Sequence, residues 1–241
     1  MKKLIITTIV LLSISCVFSQ ESVRNNASFN LGDGISFSFN DGDYEFNIYG
    51  FIKPAYIYND EKIYTANGEY SNVYRQFKSQ NSNLFFTGFA KDEKLSFTIQ
   101  MDYSSNNPLV EAFIAYHFNE NSTLYFGQKR VNHNNLEMFH YEDKLRFTDR
   151  GILSRTYTDD GEEFGLFFET IFGKSIIIKP TFAITSGDGK NSFGVDSRDS
   201  DKGGVKFGSR INILPLGDFS VGNRLSTVDL MHEEKPKVQI G

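Results

Sequence analysis

Hydrophobic and polar residues alternate along much of this chain, and the clearest run covers residues 95–105. Successive side chains of a β-strand point to opposite faces, so strict alternation predicts a strand with one apolar and one polar face. The same pattern over 83–90, 110–118 and 123–130 predicts three more amphipathic strands next to it. In the clearest run the apolar face holds Leu95, Phe97, Ile99, Met101 and Tyr103, and the polar face holds Ser96, Thr98, Gln100 and Asp102.

Six further segments carry the strand signal and bring the predicted total to about ten strands. Asp41-Gly42 supplies the positive backbone angles that a tight hairpin turn needs. Pro54 cannot donate a hydrogen bond to a ladder, so it predicts a bulge or a strand end. The six segments are 35–39, 44–58, 164–172, 176–186, 205–214 and 219–231, and the polar stretch 61–76 is predicted to be a loop.

The connections between these strands largely alternate between tight turns and longer links. Short turns at one end and long loops at the other are typical of an outer-membrane β-barrel. We therefore predict an all-β fold in which residues 35–241 form a transmembrane antiparallel β-barrel. The alternative is a secreted or surface-attached β-sandwich that binds a glycan or a protein. The predicted turns are 40–43, 91–94, 119–122, 173–175 and 215–218, and the long loops are 61–76, 132–163 and 187–203.

The predicted barrel can be closed in two ways. An open sheet would leave unpaired backbone groups in lipid, which is not tolerated. The chain therefore either closes as a small barrel of about ten strands or is the N-terminal portion of a larger barrel. A new amphipathic run begins at Lys237, and this favours the larger barrel.

The N-terminal residues have the features of an export signal. A basic start at Lys2 and Lys3 precedes an apolar run over 4–14, which is too short to span a membrane as a helix. We predict a cleavable signal peptide over 1–19, a flexible lead-in over 20–34 and an outer-membrane location. The single cysteine, Cys16, lies in this signal, and lipid modification at Cys16 is the alternative.

Composition and charge exclude several classes of function. The net charge is −5, whereas nucleic-acid binding needs a basic surface, so no nucleic-acid partner is expected. No serine stands in a recognisable nucleophile context, and neither an enzyme activity nor a cofactor is expected. His133, Glu137 and His140 have roughly helical spacing where no helix is signalled, so we predict no metal site there. Calcium binding by the acidic loop 187–203 stays open.

The chain carries an ordered set of segments: residues 37–51, Leu84-Phe-Phe-Thr-Gly88, residues 110–116, Leu124-Tyr-Phe-Gly-Gln128 and the long loop with Arg146, Arg150 and Arg155. This ordered set resembles the phosphate-selective porin O and P family. The resemblance implies a sixteen-stranded, usually trimeric outer-membrane channel whose third loop folds into the pore. This chain would supply an incomplete, N-terminal part of such a barrel, and a homotrimer is a possible assembly. The acidic net charge departs from the family and leaves phosphate selectivity open.

Basic residues on the polar faces are the candidate pore lining. Alternation places Lys129, Lys206, Arg210 and Arg224 on faces that would line a lumen if the apolar faces contact lipid. Basic side chains on a pore wall attract anions and tune selectivity. The alternative is that these cations pair with inward carboxylates such as Asp102 or Glu111.

The loop 132–163 is the candidate constriction. A loop this long within a compact domain is usually functional or disordered, and this one carries apolar residues that could anchor it. Guanidinium groups bind oxyanions through forked hydrogen bonds. We predict a porin in outer-membrane lipid for small hydrophilic solutes, with anionic, phosphate-like solutes as candidates. The alternative for this loop is that its opposite charges neutralise one another. The predicted constriction residues are Lys144, Arg146, Arg150 and Arg155.

Overall fold

The computed structural model describes residues 25–66, 68–90, 93–131, 136–146, 150–157, 161–187, 189 and 205–241. The predicted signal peptide lies outside these residues. The prediction of an all-β fold is confirmed, because ten strands form one antiparallel sheet and two more form a separate hairpin. None of the helices in the described residues is long and apolar enough to cross a membrane.

The ten-stranded sheet follows the chain order except where the β4–β5 hairpin is inserted between β3 and β6. Two short helices, α1 (Leu136–Phe139) and α2 (Ile152–Tyr157), lie in the long connection between β9 and β10. The strands are β1 (Asn26–Asn30), β2 (Gly34–Phe39), β3 (Tyr44–Phe51), β4 (Pro54–Thr65), β5 (Gly68–Ser79), β6 (Asn83–Ala90), β7 (Leu95–Asp102), β8 (Leu109–Asn119), β9 (Ser122–Arg130), β10 (Glu162–Thr170), β11 (Ile177–Thr185) and β12 (Lys206–Leu214).

The four central strands β6 to β9 lie where the alternation predicts them. Their ladders are antiparallel and nearly continuous. Gly127 in β9 has φ +135°, and a Cβ there would lie 2.3 Å from the carbonyl oxygen of Ala112. A side chain at this position would therefore force β8 and β9 apart, which explains the glycine within an otherwise regular strand.

Two predictions for the N-terminal third of the sheet need correction. The segment 20–34, interpreted as a lead-in, contributes β1, which pairs with β2 at the edge of the sheet. Residues 61–65 and 68–76 of the predicted loop 61–76 belong to the paired strands β4 and β5. A hairpin exposed on both faces needs no apolar face, so its polar sequence looks like that of a loop. The predicted long strand 44–58 is divided, with β3 ending at Phe51 and β4 beginning at Pro54.

The predicted strand 219–231 is wrong. These residues are irregular apart from a short 3₁₀ turn, Val221–Asn223. The buried Asn223 side chain accepts hydrogen bonds from the backbone of Leu230 and Met231 and donates to Asp229 and Glu233. Local side-chain bonds of this kind compete with ladder pairing. The sheet still has ten strands, because it gains β1 at one edge and lacks the predicted strand 219–231 at the other.

The two faces of the ten-stranded sheet differ in polarity and in cover. One face, called the inner face here, is covered by residues 139–144 and 219–239 and buries polar groups such as Gln100 and Glu111. The opposite, outer face carries the apolar side chains and is not covered by any described residue. Its exposed members include Ile99, Ile114, Tyr116, Phe118, Phe126, Leu166, Phe182, Ile184, Phe207 and Ile211.

The sheet is open among the described residues, with β1 and β12 at its two edges. Only one residue pair continues it beyond β12. Ile213 and Ile240 exchange two backbone hydrogen bonds of 2.7 and 2.9 Å between nitrogen and oxygen. Residues around Ile240 therefore lie where a further antiparallel strand would pair.

Candidate functional site

A cavity of about 550 Å³ lies between the inner face and the two segments that cover it. Strands β8 to β12 form its wall. Residues 139–144 and 221–239 contribute the rest of its lining, and the backbone N–H of Thr227 donates to the carbonyl of Lys144 at 3.0 Å between these two segments. The cavity is thus enclosed by the long loop and by the segment after β12.

The lining of the cavity is rich in basic groups although the whole chain is acidic. Six basic side chains face three acidic ones. Several of the basic groups have acidic partners: Lys129 pairs with Glu169, and Lys179 pairs with Asp218, each at 2.7 Å between nitrogen and oxygen. The lining cations are Lys129, Arg130, Lys144, Lys179, Arg210 and Arg224, and the lining acids are Glu111, Glu120 and Glu169.

Three of the four predicted pore-lining residues border this cavity. Lys129 and Arg210 reach it from β9 and β12, as the alternation predicts. Arg224 also lines the cavity, and its guanidinium pairs with Asp218 on the inner side. It comes from the irregular segment after β12, so the prediction that it lies on a strand is wrong. Lys206 does not line the cavity; its ammonium pairs with Glu163 at the end of β12.

The predicted constriction residues separate into different environments. Lys144 lines the cavity, and its ammonium lies 5.9 Å from the centre of the Tyr141 ring. Arg146 is exposed, with its backbone N–H bonded to Thr227. Arg150 is half-buried and binds Glu142 at 2.7 Å within its own loop. The side chain of Arg155, in α2, lies outside the described part of the structure.

Arg130 ties the long loop to the sheet. It is the last residue of β9, and its side chain is 2 % exposed. The guanidinium donates to both carboxylate oxygens of Glu142 in the loop, at 3.1 and 2.9 Å. Glu111 of β8 and Glu162 of β10 lie 3.7 and 3.8 Å from Nε. The ring of Tyr141, with its centre 5.0 Å from the guanidinium carbon, packs against this charge.

Further contacts extend this Arg130 network to a neighbouring strand and along the loop. Gln100 of β7 accepts from Arg130 at 3.3 Å. The carbonyl of His140 accepts from Arg130 at 2.9 Å and from Arg150 at 2.7 Å. Buried charges are tolerated when they are paired and hydrogen-bonded, and this network joins strands β7 to β10 to the loop. The loop is therefore fixed on the inner face by charge as well as by apolar contact.

Aromatic side chains support the same attachment. Phe85 of β6 is buried and stacks on Tyr49 of β3 with 4.6 Å between ring centres. Tyr141 of the loop meets Phe85 edge-on at 6.1 Å. The Tyr141 ring thus packs on Phe85 of the sheet and also on the Arg130 guanidinium. Tyr141 therefore holds the loop against the sheet through both contacts.

The electrostatic environment keeps Glu142 ionised. Burial alone would raise the pKa of its carboxyl, but Arg130 and Arg150 outweigh burial and lower the pKa from 4.5 to about 2. Burial also lowers the pKa of His140, so its imidazole is neutral near pH 7. The attachment of the loop consequently depends on a carboxylate that only strong acid protonates.

We expect acid to release the loop between about pH 4.5 and pH 2. The folded protein binds this proton less readily than the unfolded chain, so the stability from Glu142 is complete above 4.5 and is lost as the pH falls through about 2. Pepsin cleavage within residues 136–157 should rise steeply over this window. The variant Glu142→Gln should be cleaved readily throughout the window, and an unchanged pH midpoint in that variant would contradict the assignment.

The sequence analysis missed Arg130, although it named the neighbouring residue. Strict alternation from Lys129 would put Arg130 on the outer face, where a charge is unfavourable. Arg130 is the last residue of β9 and pairs with Glu162 in the ladder with β10, yet its side chain turns inward, where Glu111 and Glu142 lie close to its charge. An arginine at a position that alternation assigns to the apolar outer face was the signal in the sequence that could have identified Arg130.

Metal binding finds no support in the described residues, where no three His, Cys, Asp or Glu side chains are grouped to hold an ion. The loop 187–203 considered for calcium is described only at residues 187 and 189. Comparison of the chain with protein-family models and with curated proteins finds no match.

Proposed function

We propose that this chain forms the wall and the inward loop of an outer-membrane porin through which small hydrophilic solutes diffuse. The observation that carries the proposal is the reversed polarity of the sheet. The face buried under the loop holds paired charges and amides, while exposed apolar residues such as Ile114 and Phe207, 59 % and 73 % exposed, cover the other face. Water-soluble proteins rarely expose contiguous apolar surface on this scale, whereas a barrel in lipid requires it.

A closed wall requires further strands beside β12. The paired backbone groups of Ile213 and Ile240 support addition of the next strand at that edge. From the sequence resemblance we infer a barrel of about sixteen strands that assembles as a trimer. The separate β4–β5 hairpin would then belong to the end of the barrel opposite the tight turns.

The lining of the cavity favours anions as the preferred solutes. Four of the six lining cations pair with carboxylates, but Lys144 has no carboxylate partner among the described residues and presents its positive charge where solutes would pass. A low-dielectric wall concentrates such a field within the pore. The loop held by Arg130 narrows the path beside Lys144, so this part of the cavity is the proposed constriction.

Single-channel recording tests the proposal. The chain, refolded in detergent and added to a planar bilayer under a salt gradient, should assemble into a closed wall and give discrete conductance steps with a reversal potential on the anion-selective side. A chain that remains monodisperse in water and gives no steps would contradict the porin and support a water-soluble β-protein.

Lys144→Glu should shift the reversal potential towards cation selectivity, with a several-fold loss of anion preference. Lys144 lines the cavity and has no carboxylate partner among the described residues, so the substitution reverses a charge that solutes would meet. The matched control is Lys174→Glu, the same charge reversal in the exposed turn between β10 and β11. Equal shifts of the reversal potential in both variants would mean that Lys144 does not determine ion selectivity.

A further inference from the structure

The β4–β5 hairpin continues two strands of the sheet beyond its end. Lys53 lies between β3 and β4, its carbonyl accepts from the backbone of Gln80 at 3.0 Å, and its own N–H donates to Ser82 Oγ at 2.9 Å. These bonds bridge the ends of β4–β5 and β3–β6. Because side chains alternate along the strand, Tyr56 and Tyr58 fall on the same side as the outer-face residues of β3.

The base of the hairpin carries an exposed aromatic and cationic patch. Phe77 is 88 % exposed and lies 5.1 Å from Tyr56 between ring centres. The guanidinium of Arg75 lies 5.3 Å from the Tyr58 ring and has no carboxylate partner among the described residues. These four residues and Ile52, also strongly exposed, are called the hairpin-base patch below. No described residue covers it.

Charge is segregated along the hairpin. The base, residues 53–58 and 75–79, contains three basic residues and no acidic one. The distal part, residues 59–74, contains three acidic residues and one lysine, and that lysine, Lys62, is paired with Glu69 at 2.9 Å. An anionic surface would therefore attract the base of the hairpin and repel its tip.

The length of the strand places the patch at a defined depth. A tilted transmembrane strand crosses the hydrocarbon core in about 9–11 residues. Residues 44–53 span that length if the tight turn at 40–43 marks the opposite surface. Tyr56, Tyr58 and Arg75 then lie just outside the core, at the level of lipid headgroups, where tyrosine rings are favoured.

We propose that the hairpin-base patch binds a phosphate-bearing lipid headgroup of the outer leaflet. The inference rests on the proposed function, since it requires the outer face to contact lipid. Ile52 and Phe77 would contact the upper acyl chains, the tyrosine rings would lie among the headgroups, and Arg75 would donate forked hydrogen bonds to a phosphate. The acidic distal part would project away from the same phosphates.

Lipid retention by the full chain tests this site. The protein is refolded in micelles of a detergent without phosphate groups, lipid A is titrated in, and native mass spectrometry counts the bound lipid A. We expect saturable binding that falls several-fold in Arg75→Gln and also in Phe77→Ser. Lys62→Gln removes the same charge from the distal part of the hairpin, on the same face, and should bind as the unmodified chain does.

Two results would overturn the site. The first is equal lipid A binding by Arg75→Gln and by the unmodified chain. The second is occupation of the patch by another copy of the chain, seen as a dimer that Phe77→Ser dissociates. Inorganic phosphate should not displace the lipid, and displacement would indicate a free-anion site instead. Heat-modifiable migration in detergent, measured in the same samples, reports folding of the barrel. A chain that folds without detergent overturns the porin and this site together, whereas a heat-modifiable chain without lipid A binding overturns the site alone.

Discussion

Arg130→Met is expected to detach the long loop from the inner face and to raise single-channel conductance. The substitution keeps an unbranched side chain of moderate length but leaves Glu111, Glu142 and Glu162 without the guanidinium that lies among them. Removal of one partner from a buried ion pair costs about 3–5 kcal/mol, because the remaining charges stay buried without compensation. Only Glu142, on the loop, can move out to water readily.

Conductance and limited proteolysis measure this effect separately. Larger conductance steps and faster cleavage within residues 136–157, with heat-modifiability retained, would show release of the loop from an intact wall. Arg130→Lys keeps the charge without the fork and should give an intermediate result. Lys174→Met, on an exposed lysine of the turn between β10 and β11, is the control and should leave conductance nearly unchanged. Unaltered conductance in Arg130→Met would mean that the loop does not limit the pore.

Ile114→Arg is expected to destabilise the folded protein in lipid by about 2–4 kcal/mol, the cost of arginine on the lipid face near the bilayer midplane. Ile114 lies at the centre of β8, and its side chain points out from the exposed apolar face. If that face contacted water instead, an exposed arginine would have almost no effect on stability. The sign and size of this one change therefore decide between lipid and water as the solvent of the outer face.

Denaturant titration of the protein in lipid vesicles gives the free energy of unfolding for this comparison. Gln76→Arg introduces the same charge on an exposed strand of the β4–β5 hairpin, outside the ten-stranded sheet, and should leave stability within experimental error. Equal stability of Ile114→Arg and Gln76→Arg would be incompatible with a membrane-spanning wall.

The strands that the sequence located correctly are those with one apolar face. In β7, β8 and β12, alternation alone assigned each side chain to a face, and the exposed Ile114 and Phe207 lie on the apolar side as expected. The distal part of the β4–β5 hairpin, within 61–76, was mistaken for a loop because it is exposed and its sequence is mainly polar. The segment 219–231 was mistaken for a strand because its residues alternate, while the local bonds of Asn223 prevail over pairing.

The candidate site was predictable only in part. Lys129 and Arg210 were found because their inward direction follows from strand geometry. The role of Arg130 could not be predicted, because its partners come from β7, β8, β10 and the loop. Even Glu142, its partner in the loop, lies 12 residues further along the chain. A charge network assembled from several strands leaves no short pattern in the sequence.

The sequence by itself therefore determined the all-β class and the polarity of each ladder strand, because both follow from a backbone period of two residues that neighbours along the chain already express. Only the tertiary structure decided which face is covered, how the loop is held and where residues 219–239 run. Those outcomes depend on free-energy differences between distant partners: burial of Arg130 is tolerable only once three carboxylates surround it, and Asn223 bonds its own segment only where no neighbouring strand pairs with it.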